Sequence, residues 1–120
     1  MKKINDNSVM LFCRANNNMG IAEQKAFLTD FCLENGYEIV SEYNSIGSWR
    51  TALADVYKEC NERKGLINKV VFVSWDRLTR NVESSLTCTK AFRELGIDLE
   101  CATGKHRIIR RKCLTSNAIN

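Results

Sequence analysis

Apolar and polar residues follow one another in blocks that predict strands and helices in alternation. Short, mostly apolar or β-branched runs predict four strands, at Ser8–Ala15, Tyr37–Tyr43, Lys69–Trp75 and Ile97–Ala102. Between these runs, apolar residues recur at helical spacing and predict three helices, at Ile21–Asn35, Arg50–Lys64 and Val82–Leu95. This order predicts an α/β fold with a mostly parallel sheet of about four strands flanked by helices.

The composition is that of one globular domain. The chain has 120 residues, of which 44% are hydrophobic and 27% are charged. No apolar run approaches the roughly 20 residues of a membrane span, and the basic start lacks the apolar stretch of a signal peptide. We therefore expect a cytoplasmic protein with no membrane partner.

The cysteines do not indicate a metal site. There are six of them but only one histidine, and no C-x-x-C pair occurs. Because nothing indicates secretion, we interpret the cysteines as reduced thiols that mostly pack as small apolar residues. The sequence predicts neither a metal nor a cofactor.

The positive charge is concentrated near the end of the chain. The net charge is only +4, but "KHRIIRRK" holds five of the 18 lysines and arginines, which are Lys105, Arg107, Arg110, Arg111 and Lys112. Such a basic segment attracts DNA phosphates, and these five residues are candidate DNA-binding residues. A solvated chain end explains the same charge equally well.

Arginines follow two of the predicted strands. Arg14 ends the first strand, and Arg77 and Arg80 follow the third. The carboxyl ends of parallel strands share one edge of the sheet, where α/β proteins bind ligands, so these guanidinium groups can converge on one anion. If a helix begins there, Arg77 and Arg80 share one helical face. Asp76 can orient a guanidinium group through a bidentate contact.

These residues resemble the motifs of a known family. "FCRAN" (Phe12–Asn16), Gln24, "GSWRTAL" with Arg50, and "DRLTRN" (Asp76–Asn81) occur in the order found in the catalytic domain of serine recombinases, the resolvase and invertase family. The resemblance implies a three-layer resolvase-like fold and the breakage and rejoining of DNA strands without a cofactor. It also implies a phosphate pocket lined by four arginines, Arg14, Arg50, Arg77 and Arg80. Asp76 would orient a group or handle a proton, with Gln24 in support.

The residue at the nucleophile position departs from the family pattern. Asn16 stands where the family has serine. A carboxamide is not a phosphoryl-transfer nucleophile, so we expect a degenerate domain that binds DNA phosphates without cleaving them. Cys13 faces the other side of an alternating strand, which favours a core position. Ser45 and Ser48 lie in a turn, where hydroxyl groups usually bond to backbone.

Residues 1–104 correspond to the family's catalytic domain, and 105–120 form a basic tail. The family continues into a long dimerisation helix and a DNA-binding domain, which we expect to be absent here. The expected partners are DNA and, in an assembly, a second copy or an intact recombinase.

Two alternative functions stay open. One is an active enzyme with an unusual nucleophile, or an intact recombinase in which Asn16 was substituted for serine to trap the uncleaved state. The other is a non-enzymatic α/β binding or assembly module. Trp49 and Trp75 are expected to be packing residues rather than base-stacking platforms.

Overall fold

Strands and helices alternate along the chain, as the sequence predicts. The computed structural model describes residues 7–79 and 81–104. Within them, the strands are β1 (Ser8–Arg14), β2 (Glu38–Ser45), β3 (Lys69–Phe72) and β4 (Asp98–Cys101). The helices are α1 (Asn18–Asn35), α2 (Trp49–Glu62), α3 (Trp75–Leu78) and α4 (Val82–Glu94). The α/β class is confirmed.

The four described strands form one parallel sheet in the order β2-β1-β3-β4. β1 lies between β2 and β3, so the chain leaves β1 toward one side of the sheet and reaches β3 on the other. Such a reversal opens a crevice at the carboxyl ends of the two strands, which is where open α/β sheets bind ligands. Here the crevice lies between the ends of β1 and β3.

The alternation of β1 explains the three layers. Val9, Leu11 and Cys13 point to one face and pack against Leu28 and Cys32 of α1. The intervening Met10 and Phe12 point to the other face, which α2 and α4 cover. None of these five residues, Val9 to Cys13, has appreciable exposed surface, which matches a strand buried on both faces. The predicted three-layer arrangement is confirmed.

The first helix begins earlier than its apolar pattern predicts. It starts at Asn18 rather than Ile21, because the Asn17 side chain accepts a hydrogen bond of 2.8 Å from the N–H of Gly20 and caps the helix. At the other end, Gly36 has a φ of 71°, and its N–H bonds to the carbonyls of the last turn. The predicted stop at Asn35 is confirmed.

The predicted third strand is too long. It ends at Phe72, and Trp75–Leu78 forms the separate short helix α3. The Trp75 ring packs edge-on against Phe72 with centroids 4.8 Å apart, so the chain turns to bury an indole that a straight strand would carry out of the core. Trp49 and Trp75 are both buried, which confirms them as packing residues.

Candidate functional site

Arg14 joins three segments at the carboxyl edge of the sheet. Its Nε donates to the carbonyl oxygen of Arg77 at 2.7 Å, and its Nη2 donates to that of Asp76 at 3.0 Å. Its Nη1 donates to the carbonyl of Gly47, in the loop before α2, at 3.5 Å. The planar guanidinium fork therefore fixes the ends of β1 and α3 and the loop after β2 relative to one another. We call Arg14, Gly47, Asp76 and Arg77 the strand-end cluster.

Gln24 holds the backbone of Arg14. Its Oε1 accepts from the Arg14 N–H at 3.1 Å, and its Nε2 donates to the Arg14 carbonyl at 2.8 Å. Pairing with β3 stops at Leu11, while β1 continues beside β2 as far as Arg14. The carboxamide of Gln24, which is 7% exposed, thus replaces the neighbouring strand where the sheet splits. Its structural role is the orientation of Arg14.

Of the other three predicted arginines, the structure describes Arg50 and Arg77 but not Arg80. Arg77 is exposed in α3. Arg50 lies in the first turn of α2, with its guanidinium group 4.6 Å from the centroid of the Trp49 ring, a cation–π contact. The helix that follows β3 ends at Leu78, so the condition under which Arg77 and Arg80 would share one helical face is not met by α3. Arg80 lies outside the described residues, as do the candidates of the basic tail: Lys105, Arg107, Arg110, Arg111 and Lys112.

Asn16 lies two residues after Arg14, in the exposed turn between β1 and α1. The helix comes very close to the strand end here. A Cβ atom on Gly20 would lie only 2.7 Å from the Cβ of Ala15. A side chain at position 20 would push α1 away from the strand. Gly20 therefore helps to set the position of the turn that carries Asn16, a role that the sequence did not indicate.

The other candidate nucleophiles have structural roles. Cys13 is fully buried on the α1 face, and burial raises the pKa of its thiol to about 11, so it is protonated at neutral pH. The Ser45 hydroxyl accepts from the N–H of Gly47 at 3.0 Å. The Ser48 hydroxyl accepts from the N–H of Arg50 at 3.1 Å, as an N-cap of α2. These contacts agree with the core and turn positions expected from the sequence.

A buried pair of hydroxyl groups, which sequence reasoning missed, fixes the chain between α3 and α4. The hydroxyl groups of Thr79 and Ser85 are 2.6 Å apart, and Ser85 also donates to the carbonyl of Asn81 at 3.1 Å. Asn81 in turn caps α4 through the N–H of Ser84 at 2.7 Å. An asparagine directly before Val82, the first residue of the predicted helix, was an available signal for this cap. The network fixes the residues on both sides of position 80.

Within 7–79 and 81–104, no group of three or more His, Cys, Asp or Glu side chains is arranged to hold a metal ion. In the same part of the chain, no helix is both long and apolar enough to cross a membrane.

Comparison with known proteins identifies the family. The resolvase N-terminal domain family matches residues 13–115. No curated protein matches the chain in sequence. A resolvase family site-specific recombinase from Streptococcus pneumoniae is similar in structure, with 22% identity and a TM-score of 0.72 over 89% of this chain and 80% of that one.

Two further solved structures have the same fold. The N-terminal catalytic domain of TP901-1 integrase shows 24% identity and a TM-score of 0.69 over 80% of this chain and 77% of that one. The C-terminal catalytic domain of ISC1926 TnpA, an IS607-like serine recombinase, shows 22% identity and a TM-score of 0.68 over 82% and 69%. With its fold and the match over residues 13–115, the chain belongs to the resolvase N-terminal domain family, that of the serine recombinase catalytic domains.

Proposed function

We propose that this chain is a degenerate serine recombinase domain that binds the DNA backbone but does not cleave it. The observation that carries the proposal is the strand-end cluster, because Arg14 ties the end of β1 to Arg77 in the crevice where α/β sheets bind ligands. Guanidinium groups held at such an edge stabilise phosphate charge. Asn16, two residues from Arg14, supplies no nucleophile.

The basic tail has a separate part in this proposal. Residues 105–120 follow the catalytic-domain segment 1–104, and their lysines and arginines add sequence-independent attraction to DNA. This attraction falls steeply with salt, whereas a phosphate held in the crevice is screened less. Binding at two salt concentrations therefore separates the two contributions.

The binding test is an NMR titration of the full chain with a thymidine dinucleotide, which carries one phosphodiester. We expect the Nε signals of Arg14, Arg50, Arg77 and Arg80 to shift together and to saturate at one affinity. Arg93 serves as an internal control, since its Nε lies 3.7 Å from Asp98 at the amino edge of the sheet, away from the crevice. Independent shifts, or shifts equal to that of Arg93, would refute a shared phosphate site.

The chemical test uses labelled duplex DNA and a denaturing gel. We expect no covalent protein–DNA adduct from the native chain, because neither Asn16 nor the buried Cys13 offers a reactive nucleophile. An adduct would overturn the degenerate assignment, and its mapped position would identify an unusual nucleophile, with Ser45 and Ser48 as the first residues to examine.

A second candidate function is a non-enzymatic binding or assembly module. It is favoured by the contacts of the arginines themselves, since Arg14 bonds to backbone carbonyls and Arg50 stacks on Trp49. In this case the arginines stabilise the fold rather than bind a ligand. Arg14→Lys would then lower stability without changing any affinity for the dinucleotide, whereas the phosphate-binding proposal requires both to fall.

A further inference from the structure

Helix α1 has apolar residues on a side that does not face the sheet. Met19 and Leu33 are 72% and 73% exposed. Ala22 and Ala26 are exposed between them, and Thr29 is half-buried. The helix packs on the sheet through a different side, with Gln24, Leu28 and Cys32 as its buried residues. Packing on the sheet therefore does not explain why these other positions of α1 are small or apolar. We call them the α1 seam: Met19, Ala22, Ala26, Thr29 and Leu33.

The spacing of the α1 seam is that of a coiled coil. Met19, Ala26 and Leu33 are seven residues apart, and Ala22 and Thr29 each follow three residues after one of them. These are the a and d positions of a heptad repeat, the positions that pack against a second helix. The seam extends over most of the 18 residues of α1, from Met19 to Leu33, or about 22 Å of helix.

The seam residues are suited to burial against a neighbouring helix. The two alanines leave room for close approach, and Met19 and Leu33 supply apolar volume at the two ends. The Thr29 hydroxyl already donates to the carbonyl of Lys25 at 2.8 Å, so its burial would leave no unsatisfied donor. Because the helix is already packed on the sheet, its backbone needs no further ordering on association, and only exposed side chains such as Met19 and Leu33 lose freedom.

The charges beside the seam specify the partner and its direction. Glu23 and Asp30 occupy e positions on one side, and Lys25 occupies a g position on the other. In a parallel pair, g faces the e position five residues further along the partner, which places Lys25 of each copy opposite Asp30 of the other. An antiparallel pair would instead place Glu23 opposite Asp30, two like charges. The charge pattern is therefore complementary to itself in the parallel direction only.

We propose that α1 pairs with α1 of a second copy of this chain, in parallel, through the α1 seam. The contact is weak, because five mostly small residues a side bury far less than the roughly 800 Å² per partner of a standard interface. Lys25 also bonds to Glu42 of its own chain at 3.0 Å and would share that contact with Asp30 of the second copy. No seam residue belongs to the strand-end cluster, so the proposal is independent of phosphate binding.

The test is sedimentation equilibrium of the full chain up to about 1 mM. We expect reversible dimers at the highest concentrations. Ala26→Leu enlarges a central a position and should tighten the dimer about tenfold or more, while Ala26→Glu should abolish it. Both residues are good helix formers on an exposed side, so the far-UV circular dichroism and the thermal midpoint check that the fold is intact.

Direction is tested with Asp30→Lys. In the parallel pair this change places two lysines opposite each other and weakens the dimer, whereas in an antiparallel pair it would face Glu23 and strengthen it. Glu94→Lys, an equal change of charge on an exposed residue of α4, is the matched control and should have no effect. The proposal would be overturned if the chain stayed monomeric, or if the dissociation constant of the dimer were unchanged by both Ala26 variants. Tighter dimers with Asp30→Lys would overturn the parallel arrangement.

Discussion

Gln24→Ala removes the side chain that bonds to both backbone groups of Arg14. Each of the two hydrogen bonds, at 3.1 and 2.8 Å, contributes about 0.5–1.5 kcal/mol to stability. Arg14 is only partly buried, so water partly replaces the lost contacts and the larger penalty of a fully buried, unsatisfied group does not apply. We expect the free energy of unfolding to fall by about 2 kcal/mol, the sum of two bonds near the middle of that range.

The measurement is urea unfolding followed by far-UV circular dichroism, together with hydrogen exchange of the Arg14 amide. Gln24→Ala should lower the urea midpoint at an unchanged slope and should reduce the protection of that amide. Glu23→Ala is the control, because this residue is exposed on the same helix and the change should stay within about 0.5 kcal/mol. Gln24→Glu keeps an acceptor for the Arg14 N–H but sets a largely buried carboxylate oxygen against the Arg14 carbonyl, so its effect should be at least as large as that of Gln24→Ala.

The reasoning would be refuted if Gln24→Ala and Glu23→Ala had equal effects and the protection of the Arg14 amide did not change. In that case the carboxamide would not be replacing the missing strand. The bond between Gln24 and the end of β1 would then have no energetic consequence, and the orientation of Arg14 would depend on its guanidinium contacts alone.

Three further predictions follow from other contacts. Arg14→Lys replaces a planar fork by a single ammonium group, so we expect a loss of about 1 kcal/mol in urea unfolding and weaker dinucleotide binding in the NMR titration. Thr79→Val and Ser85→Ala should each cost about 1 kcal/mol, and a double-mutant cycle should show that their effects are not additive, because the hydroxyl groups are 2.6 Å apart and buried. Burial raises the pKa of Cys13 from 9.0 to about 11 and that of Cys60 from 9.0 to about 12. Their contribution to stability is therefore fully present below pH 9 and is lost as the pH rises toward these values, by up to about 1.4 kcal/mol per pH unit for each thiol. Urea unfolding between pH 8 and 11 should show this loss, and exchanging both thiols for alanine should reduce it.

The order of the elements could be predicted because each depends on local periodicity. The apolar run of β1 favours a buried strand, and the glycine after α1 favours the end of a helix. Both effects depend only on the residues at that place, so the sequence pattern and the structure agree there. The boundaries that were wrong depend on individual side-chain contacts, which the spacing of apolar residues does not reveal. β3 ends early because Trp75 packs on Phe72, and α1 begins early because Asn17 caps it.

The candidate site, too, was predictable only in part. The motif order indicated which residues to examine, and a parallel sheet implied that Arg14 and Arg77 approach one another. The sequence could not show that Arg14 bonds to carbonyl oxygens of α3 and of the Gly47 loop, since these atoms are brought together only by the crossing of β1 and β3. The hydroxyl pair of Thr79 and Ser85 also depends on the separate helix α3, which the apolar pattern did not predict.

The sequence by itself determined the fold class, the order of the strands and helices, and the asparagine at the nucleophile position, because periodicity and residue chemistry are local properties. Only the tertiary structure decided how the site is held together. Gln24 replaces a strand because the sheet splits at Arg14, and Gly20 is required because α1 passes within van der Waals distance of Ala15. These roles arise from the way α1 packs against the end of β1, and the pattern of apolar and polar residues does not encode such distances between elements.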